Sequence, residues 1–316
     1  MNTPVLLLGF NRPHLIVHPF EAIRAARPRQ LFFAVDGPRE GVPGERERVD
    51  AVRAFAARVD WDCELQTRFR DRNMGCGRGV ADALAWFFGN VEEGIVLEDD
   101  LIPDPSFFPF CRELLARYRA DERVTTISGY NFLGGGGGGA VPWSYLFTRY
   151  ISLWGWASWR RVWRHYDFDA RAWPKAKAEG MLDRLFAGRE ERRHWGGQFD
   201  MASAGAVDTW DIQWGLACWL LGGLTAMPAG NLVRNVGFGA DATHTPRRFH
   251  CGKTSVTPMQ FPMRHPPDVT IDPRCERRLF RVQKKPLPVV LLQGLREMGP
   301  AWVLRRAAQR VIDGHW

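Results

Sequence analysis

The run Ile95-Val96-Leu97-Glu98-Asp99-Asp100-Leu101-Ile102-Pro103 sets three consecutive carboxylates at the end of a short apolar segment. Bounded by Gly94 and Pro103, that segment reads as a strand buried on both faces. Three acids at its tip are costly unless a cation or hydroxyl donors meet them. Hard oxygen ligands in that number suit Mg²⁺ or Mn²⁺, which usually keep waters and bridge to substrate phosphates instead of sitting in an all-protein cage. A nucleoside diphosphate is therefore the first ligand to consider. An isolated acid triplet is more often a solvated loop start, so what the rest of the chain places beside it decides between the two.

Apolar runs and helical patterns alternate through the first third. A strand from Val5 to Phe10 and a helix from Ile16 to Ala26 lead to a strand from Leu31 to Val35, which ends in Asp36-Gly37-Pro38. A helix from Glu45 to Val59, a strand from Glu64 to Phe69, a helix from Gly77 to Phe88 and the Ile95 to Leu97 strand follow. This alternation predicts an α/β fold, a mostly parallel nucleotide-binding sheet flanked by helices, with its ligand site at the carboxyl ends of the strands. Asn11-Arg12, Asp36 and Glu98-Asp99-Asp100 all fall at such ends and are expected to converge on one crevice.

A helix from Phe107 to Tyr118 and a strand from Val124 to Ser128 come next, and then the glycine run Gly134 to Gly139, read as a surface linker. Beyond it a tryptophan-rich block (Trp143, Trp154, Trp156, Trp159, Trp163 and on to Trp219) supplies core mass and, as a group, a surface on which a sugar can stack. The expected organisation is a catalytic domain over 1–250, with a nucleotide-sugar half at 1–130 and an acceptor half at 140–250. A basic, helical C-terminal extension over 251–316 completes it. In that extension Ala301, Leu304, Ala308 and Val311 form an apolar stripe beside Arg305, Arg306 and Arg310, the pattern of an amphipathic helix at a membrane surface or against the catalytic domain.

At 316 residues and 45% apolar content the chain can bury a substantial core. Its formal charge of +8 is concentrated in the tail, where residues 264–316 carry eleven Lys or Arg against five acids. No nucleic-acid module accompanies that excess, so nucleic acid is not an expected partner; peripheral contact with an anionic membrane surface, or simple solubility, accounts for it instead. Six cysteines without a Cys-x-x-Cys pair give no support to zinc or dithiol chemistry and suit a reduced, cytoplasmic setting. Val5-Leu6-Leu7-Leu8 follows Met1-Asn2-Thr3-Pro4 directly, without a signal-peptide pattern, and no apolar run is long enough to span a bilayer.

Gly75-Cys76-Gly77-Arg78-Gly79-Val80 imitates the dinucleotide fingerprint, with acids about twenty residues later. The match fails at its third glycine position, which is Val80, and it comes after two β/α units instead of in the first β/α turn. A nicotinamide or flavin enzyme is thereby disfavoured. The helix N-terminus beside Arg78 remains a candidate to hold a phosphate.

Taken in order, Val5 to Pro13, Asp36-Gly37, Asn73-Met74-Gly75, Leu97-Glu98-Asp99-Asp100-Leu101, Trp154-Gly155-Trp156 and Asn235-Val236-Gly237-Phe238-Gly239 make the chain resemble the GT-A glycosyltransferases. The nearest branch is that of N-acetylglucosaminyltransferase I, with bacterial haemolytic-protein-like and family 2-type sugar transferases. The resemblance spans roughly Val5 to Thr245. It implies a nucleotide-sugar donor, most simply a UDP-sugar, a divalent cation, and a glycan or glycolipid acceptor whose hydroxyl is glycosylated, with inversion at the sugar. On this resemblance Asn11, Arg12, Asn73 and Arg78 lie along the nucleotide and Asp36 accepts a hydrogen bond from a uracil-like base. Glu98 and Asp99 face the sugar and ribose, and Asp100 reaches the metal. Asp211, in Thr209-Trp210-Asp211-Ile212-Gln213-Trp214, is preferred to Asp208 as the base that deprotonates the acceptor. His244, in Asp241-Ala242-Thr243-His244-Thr245, is a second candidate metal ligand. Two other readings compete: a nucleotidyltransferase that makes a sugar nucleotide, which normally opens with a glycine-rich loop that Gly9-Phe10-Asn11-Arg12-Pro13 lacks, and a non-catalytic carbohydrate-binding protein.

Overall fold

The computed structural model describes residues 1–134, 142–237 and 255–283. His244, most of the glycine run and the stripe Ala301 to Val311 lie outside the described residues.

Strands β1 (Val5–Gly9), β2 (Gln30–Val35), β3 (Glu64–Phe69) and β4 (Glu93–Glu98) alternate with helices α1 (Pro13–Ala26), α2 (Glu45–Arg53) and α3 (Gly75–Asn90). A short β5 (Leu101–Pro103), α4 (Phe107–Arg117), β6 (Val124–Ser128), β7 (Tyr145–Thr148) and β8 (Trp156–Trp159) follow. Four helices, α5 (Arg160–Trp163), α6 (Trp173–Ala178), α7 (Met181–Leu185) and α8 (Arg189–Ser203), lead to α9 (Asp211–Leu220). Strands β9 (Leu224–Pro228) and β10 (Val233–Asn235) and helix α10 (Pro273–Gln283) complete the order.

One eight-stranded sheet runs β3-β2-β1-β4-β8-β6-β9-β7. Only β8 and β7 oppose the common direction, so the expected mostly parallel α/β sheet is what forms. The physical reason is visible in β1 and β2, whose Val5-Leu6-Leu7-Leu8 and Leu31-Phe32-Phe33-Ala34-Val35 are buried throughout. Strands covered on both faces have no use for alternation. β3 is the edge, and it exposes Glu64, Thr67 and Phe69 while pairing β2 from Gln30↔Glu64 to Val35↔Phe69. Helix α1 begins at Pro13, where a missing N–H costs nothing, and buries Ile16, Phe20 and Ile23 on one face. The segment expected as one helix from Glu45 to Val59 instead tightens at Ala54 into a 3₁₀ turn ending at Arg58.

The chain reverses order once: β1, β2 and β3 progress toward one edge, and β4 returns to the other side of β1. The gap between β1 and β4 is therefore the topological switch point, where open α/β sheets place their ligands. Immediately after β4 a second, two-stranded sheet pairs β5 with β10, Leu101↔Asn235 through Pro103↔Val233. This pairing holds the chain that leaves the acid triplet. Residues 255–283 return to the same body. Ile271 bridges Phe147, Val256 bridges Asn231, and buried Glu276 on α10 accepts hydrogen bonds from the Thr148 hydroxyl and the Arg149 amide. Among the described residues no helix is long and apolar enough to cross a membrane.

Gly155, between Trp154 and Trp156, has φ +63° and no room for a side chain: a Cβ would lie 2.8 Å from Val233 Cγ2. Gly155→Ala is expected to lower stability by about 2–4 kcal/mol, combining left-handed strain with overpacking. Gly205→Ala, at φ +64° with nothing within 4 Å, should lose only about 1–2 kcal/mol. Urea unfolding of the two variants checks this, and equal losses would show that the space around Gly155 is not limiting.

Candidate active site

Arg12, three residues past the end of β1, reaches across the switch point to the end of β4. Its Nε donates to Asp99 Oδ2 at 3.2 Å, its Nη2 donates to Asp99 Oδ1, and Nη2 also lies 3.2 Å from Asp100 Oδ2. Asp99 is buried, and burial raises its carboxyl despite the guanidinium beside it. Asp100 is pushed up to about 6 by burial and by Asp99, with Arg12 opposing. Glu98 goes further, to about 8, from burial and from the charges of Asp100 and Asp99, and it has no ion-pair partner among the described residues. One guanidinium thus faces three carboxylates. The convergence of Arg12 with Glu98, Asp99 and Asp100 expected from the strand ends is present.

Asp100 is fixed from behind. Its carbonyl accepts the Val236 amide at 2.9 Å, the Asn235 side chain accepts the Gly237 amide at 2.7 Å, and a Cβ on Gly237 would lie 2.0 Å from Asp100 Oδ2. Only a glycine fits against that carboxylate. Asn11 does not face the crevice with a free amide; its Nδ2 donates to Glu45 Oε1 at 2.8 Å. Glu45, fully buried, also accepts the Arg39 amide at 2.7 Å, and the Arg39 guanidinium holds its carboxyl down to about 2.

Asp36 and Asn73 meet at the end of β2. Asp36 Oδ1 accepts the amides of Gly37 (2.8 Å) and Met74 (3.0 Å), and Oδ2 accepts Asn73 Nδ2 and the Met74 amide, both at 3.0 Å. The sequence reading gave Asp36 an open carboxylate for a base; here both oxygens are engaged, so its direct work is to pin the turn that starts α3. Burial raises this carboxyl, and the backbone donors partly offset that.

The amino end of α3, expected to hold a phosphate with Arg78, already holds a protein carboxylate. The Gly77 amide donates to Asp208 Oδ1 at 2.9 Å. Arg78 points elsewhere, over the Phe168 ring at 4.5 Å and 3.7 Å from Asp169. The spacing Gly75-x-Gly77-x-Gly79 now has a cause: Cβ atoms at 75 and 77 would meet Asp208, and one at 79 would meet Asp36. The sequence signal for Asp208 was that glycine spacing, and its partner lies 131 residues away.

Asp211 opens α9 and is exposed, its Oδ1 accepting from the Thr209 hydroxyl and from the Ile212 amide at 2.9 Å. Its charge adds to that of the triplet on Glu98, and both Asp208 and Asp211 raise the Cys76 thiol, which burial pushes up to about 12. Asp211 is therefore near enough to Glu98 and Cys76 for its charge to act on both. Below them Trp210 stacks on Trp156 at 5.7 Å, and Trp214 packs on Trp156 and Trp163 at 5.4 Å. These rings are core, and Val96↔Trp156 pairing ties them to β4. Among the described residues no group of three His, Cys, Asp or Glu gathers as a metal cage.

No family model and no curated protein matches this chain. Similar solved structures include a Bacillus anthracis protein described as a glucose-1-phosphate thymidylyltransferase, in complex with sucrose, at 11% identity, 52% of this chain and 74% of that chain, and a TM-score of 0.33. The inositol-1-phosphate CTP transferase of T. maritima shares 10% identity over 52% of this chain and 73% of its own, with a TM-score of 0.29. A UDP-glucose pyrophosphorylase complexed with UDP-glucose shares 9% over 52% and 79%, at 0.29. Likeness at this level carries nothing about activity, and it does not single out the N-acetylglucosaminyltransferase I branch. The strand order above stands by itself.

The raised Glu98 carboxyl makes a pH prediction. An acid whose folded value lies above its unfolded value stabilises fully below the unfolded value, near 4.5, and that contribution is lost as pH rises through about 8. Without added cation, Glu98→Gln should therefore gain stability over the parent between pH 5 and pH 8.5, on the order of 1–3 kcal/mol. Chemical denaturation at the two pH values measures the gap; a gap independent of pH would show that Glu98 is not charged against its neighbours.

Proposed function

We propose that this chain is a nucleotide-sugar transferase of the GT-A kind, moving a sugar from a nucleoside diphosphate donor to a hydroxyl of a glycan or glycolipid. One observation carries the reading: at the switch point Arg12, just past β1, pairs with Asp99 and Asp100 at the end of β4, beside Glu98. A donor diphosphate needs cationic partners, and an acceptor hydroxyl needs a base on the opposite side. Arg12 together with a bound divalent cation would meet the diphosphate, and Asp211 would serve as the base.

The excess of carboxylate over guanidinium suits Mg²⁺ or Mn²⁺. Because the protein forms no complete cage among the described residues, Asp100 would hold the ion together with phosphate oxygens and water, the usual arrangement for Mg²⁺. When bound, the ion would neutralise charge on the leaving diphosphate. Arg12 shares that neutralisation from the β1 side, and Glu98 and Asp99 are placed toward sugar and ribose hydroxyls. Asp211, exposed at the start of α9, takes the acceptor proton in an inverting displacement.

Nucleotidyl transfer, the activity named for the similar solved structures, is distinguished by its product. Glycosyl transfer from a UDP-sugar releases UDP, whereas nucleotidyl transfer from UTP and a sugar phosphate releases pyrophosphate. Assaying both releases with Mn²⁺ decides between them, and absence of both, with no nucleotide binding, would leave a carbohydrate-binding protein.

UDP with Mn²⁺ should raise the melting temperature of the parent by about 5 °C at saturation, and Asp100→Asn should abolish the Mn²⁺-dependent part. Equal stabilisation of variant and parent would remove Asp100 from the cation site. Asp211→Asn should cut UDP release by about 100-fold or more while leaving UDP affinity unchanged. Loss of UDP binding would instead place Asp211 on the donor.

A further inference from the structure

We propose that Asp208 is a positioning residue, a latch that ties the loop before α9 to the first turn of α3 and so holds Asp211 over the acid triplet. The catalytic part of this rests on Asp211 as the base; the latch itself does not. The Gly77 amide donates to Asp208 Oδ1 at 2.9 Å, and the fit is close on every side. A Cβ at Gly75, where φ is +82°, would lie 2.9 Å from Asp208 Oδ2. At Gly77 it would lie 2.6 Å from Oδ1 and 3.0 Å from the Thr209 backbone nitrogen and oxygen. The glycines that mimicked a dinucleotide fingerprint make room for this loop.

Two residues separate the latch from Asp211, and each is fixed. The Thr209 hydroxyl donates to Asp211, Trp210 is buried on Trp156, and the Tyr166 hydroxyl donates to the Trp210 carbonyl at 3.2 Å. Upstream, α8 ends at Ser203 and the chain passes through Ala204-Gly205-Ala206, with Gly205 at φ +64° and open space around it. The turn there is closed by the Gly205 amide on the Ala202 carbonyl and the Ala206 amide on the Met201 carbonyl, whereas Asp208 itself is solvent-exposed, so its bond to Gly77 competes with water. The latch is therefore where the acceptor side can open from the donor side, and half-buried Cys76, between Gly75 and Gly77, belongs to the turn it closes on.

Cys76 reports on the latch without any substrate. Iodoacetamide labelling of the full chain, mapped to Cys76 by peptide mass spectrometry, compares the parent with Asp208→Ala, Asp208→Ser and Asp208→Asn. Alanine and serine break the latch, whereas asparagine removes the charge but keeps an oxygen for the Gly77 amide. Breaking variants should label Cys76 at least about threefold faster, and Asp208→Asn should stay within about twofold of the parent. An equal rise in all three means that charge alone acts on Cys76, and no rise in any means that the loop stays closed without the bond; either result overturns the latch. With UDP-glucose and UDP-N-acetylglucosamine as donors and UDP release as the readout, Asp208→Ala should lower kcat by about tenfold with donor KM within about twofold. Asp208→Asn should restore most of it, and adding Asp208→Ala to Asp211→Asn should cost nothing more. Additive losses would show that Asp208 does not act through Asp211. If Asp211→Asn alone keeps parental turnover, the base assignment fails while the labelling result still decides the latch.

Discussion

Three carboxylates against one guanidinium, at the rim between β1 and β4, is the constraint around which this molecule is built. Separating Arg12 from Asp99 would leave a buried charge uncompensated, which costs far more than the pair is worth when intact. So the residues around it restrict movement. Asn11 is tied to Glu45, whose carboxyl is held by Arg39. β10 clamps the chain leaving Asp100, and Gly237 lets that clamp close against the carboxylate. The clamp holds the rim on the β4 side, where Glu98 has no ion-pair partner among the described residues and its carboxyl is raised by burial and by its neighbours.

The β/α alternation up to β4 was legible because buried parallel strands announce themselves as continuous apolar runs. The observed bounds of β2, β3 and β6 differ from the sequence reading by one residue at most. The acid triplet and Arg12 were legible for the same reason: strand ends in such a sheet converge whatever their distance in sequence. What the sequence did not show were contacts set by tertiary packing. Asp36, expected to meet a base, accepts from the Gly37 and Met74 amides and from Asn73, and Arg78, expected to meet a phosphate, lies over Phe168 near Asp169. The amino end of α3 suggested a bound phosphate, and there the Gly77 amide meets the protein's own Asp208. The spacing of the glycines recorded a close approach without saying what approached.

The tryptophans illustrate the limit of composition. As a block they suggested both core and sugar platform, and the structure assigns Trp156, Trp159, Trp173, Trp210, Trp214 and Trp219 to the interior. Their work is indirect. Packed on one another, Trp156, Trp210 and Trp214 seat α9, the helix that Asp211 opens more than a hundred residues beyond the triplet, in a segment where strand periodicity gave no guidance.

Strand β8 runs against its neighbours β4 and β6, and this inversion has a developmental consequence for the fold. A parallel strand is entered from the far side of the sheet and left at the working rim, but an inverted one is entered at the rim. The loop leading into β8 therefore lies beside the triplet, and a substitution there acts on the rim while the contacts of Arg12 with Asp99 and Asp100 stay as they are.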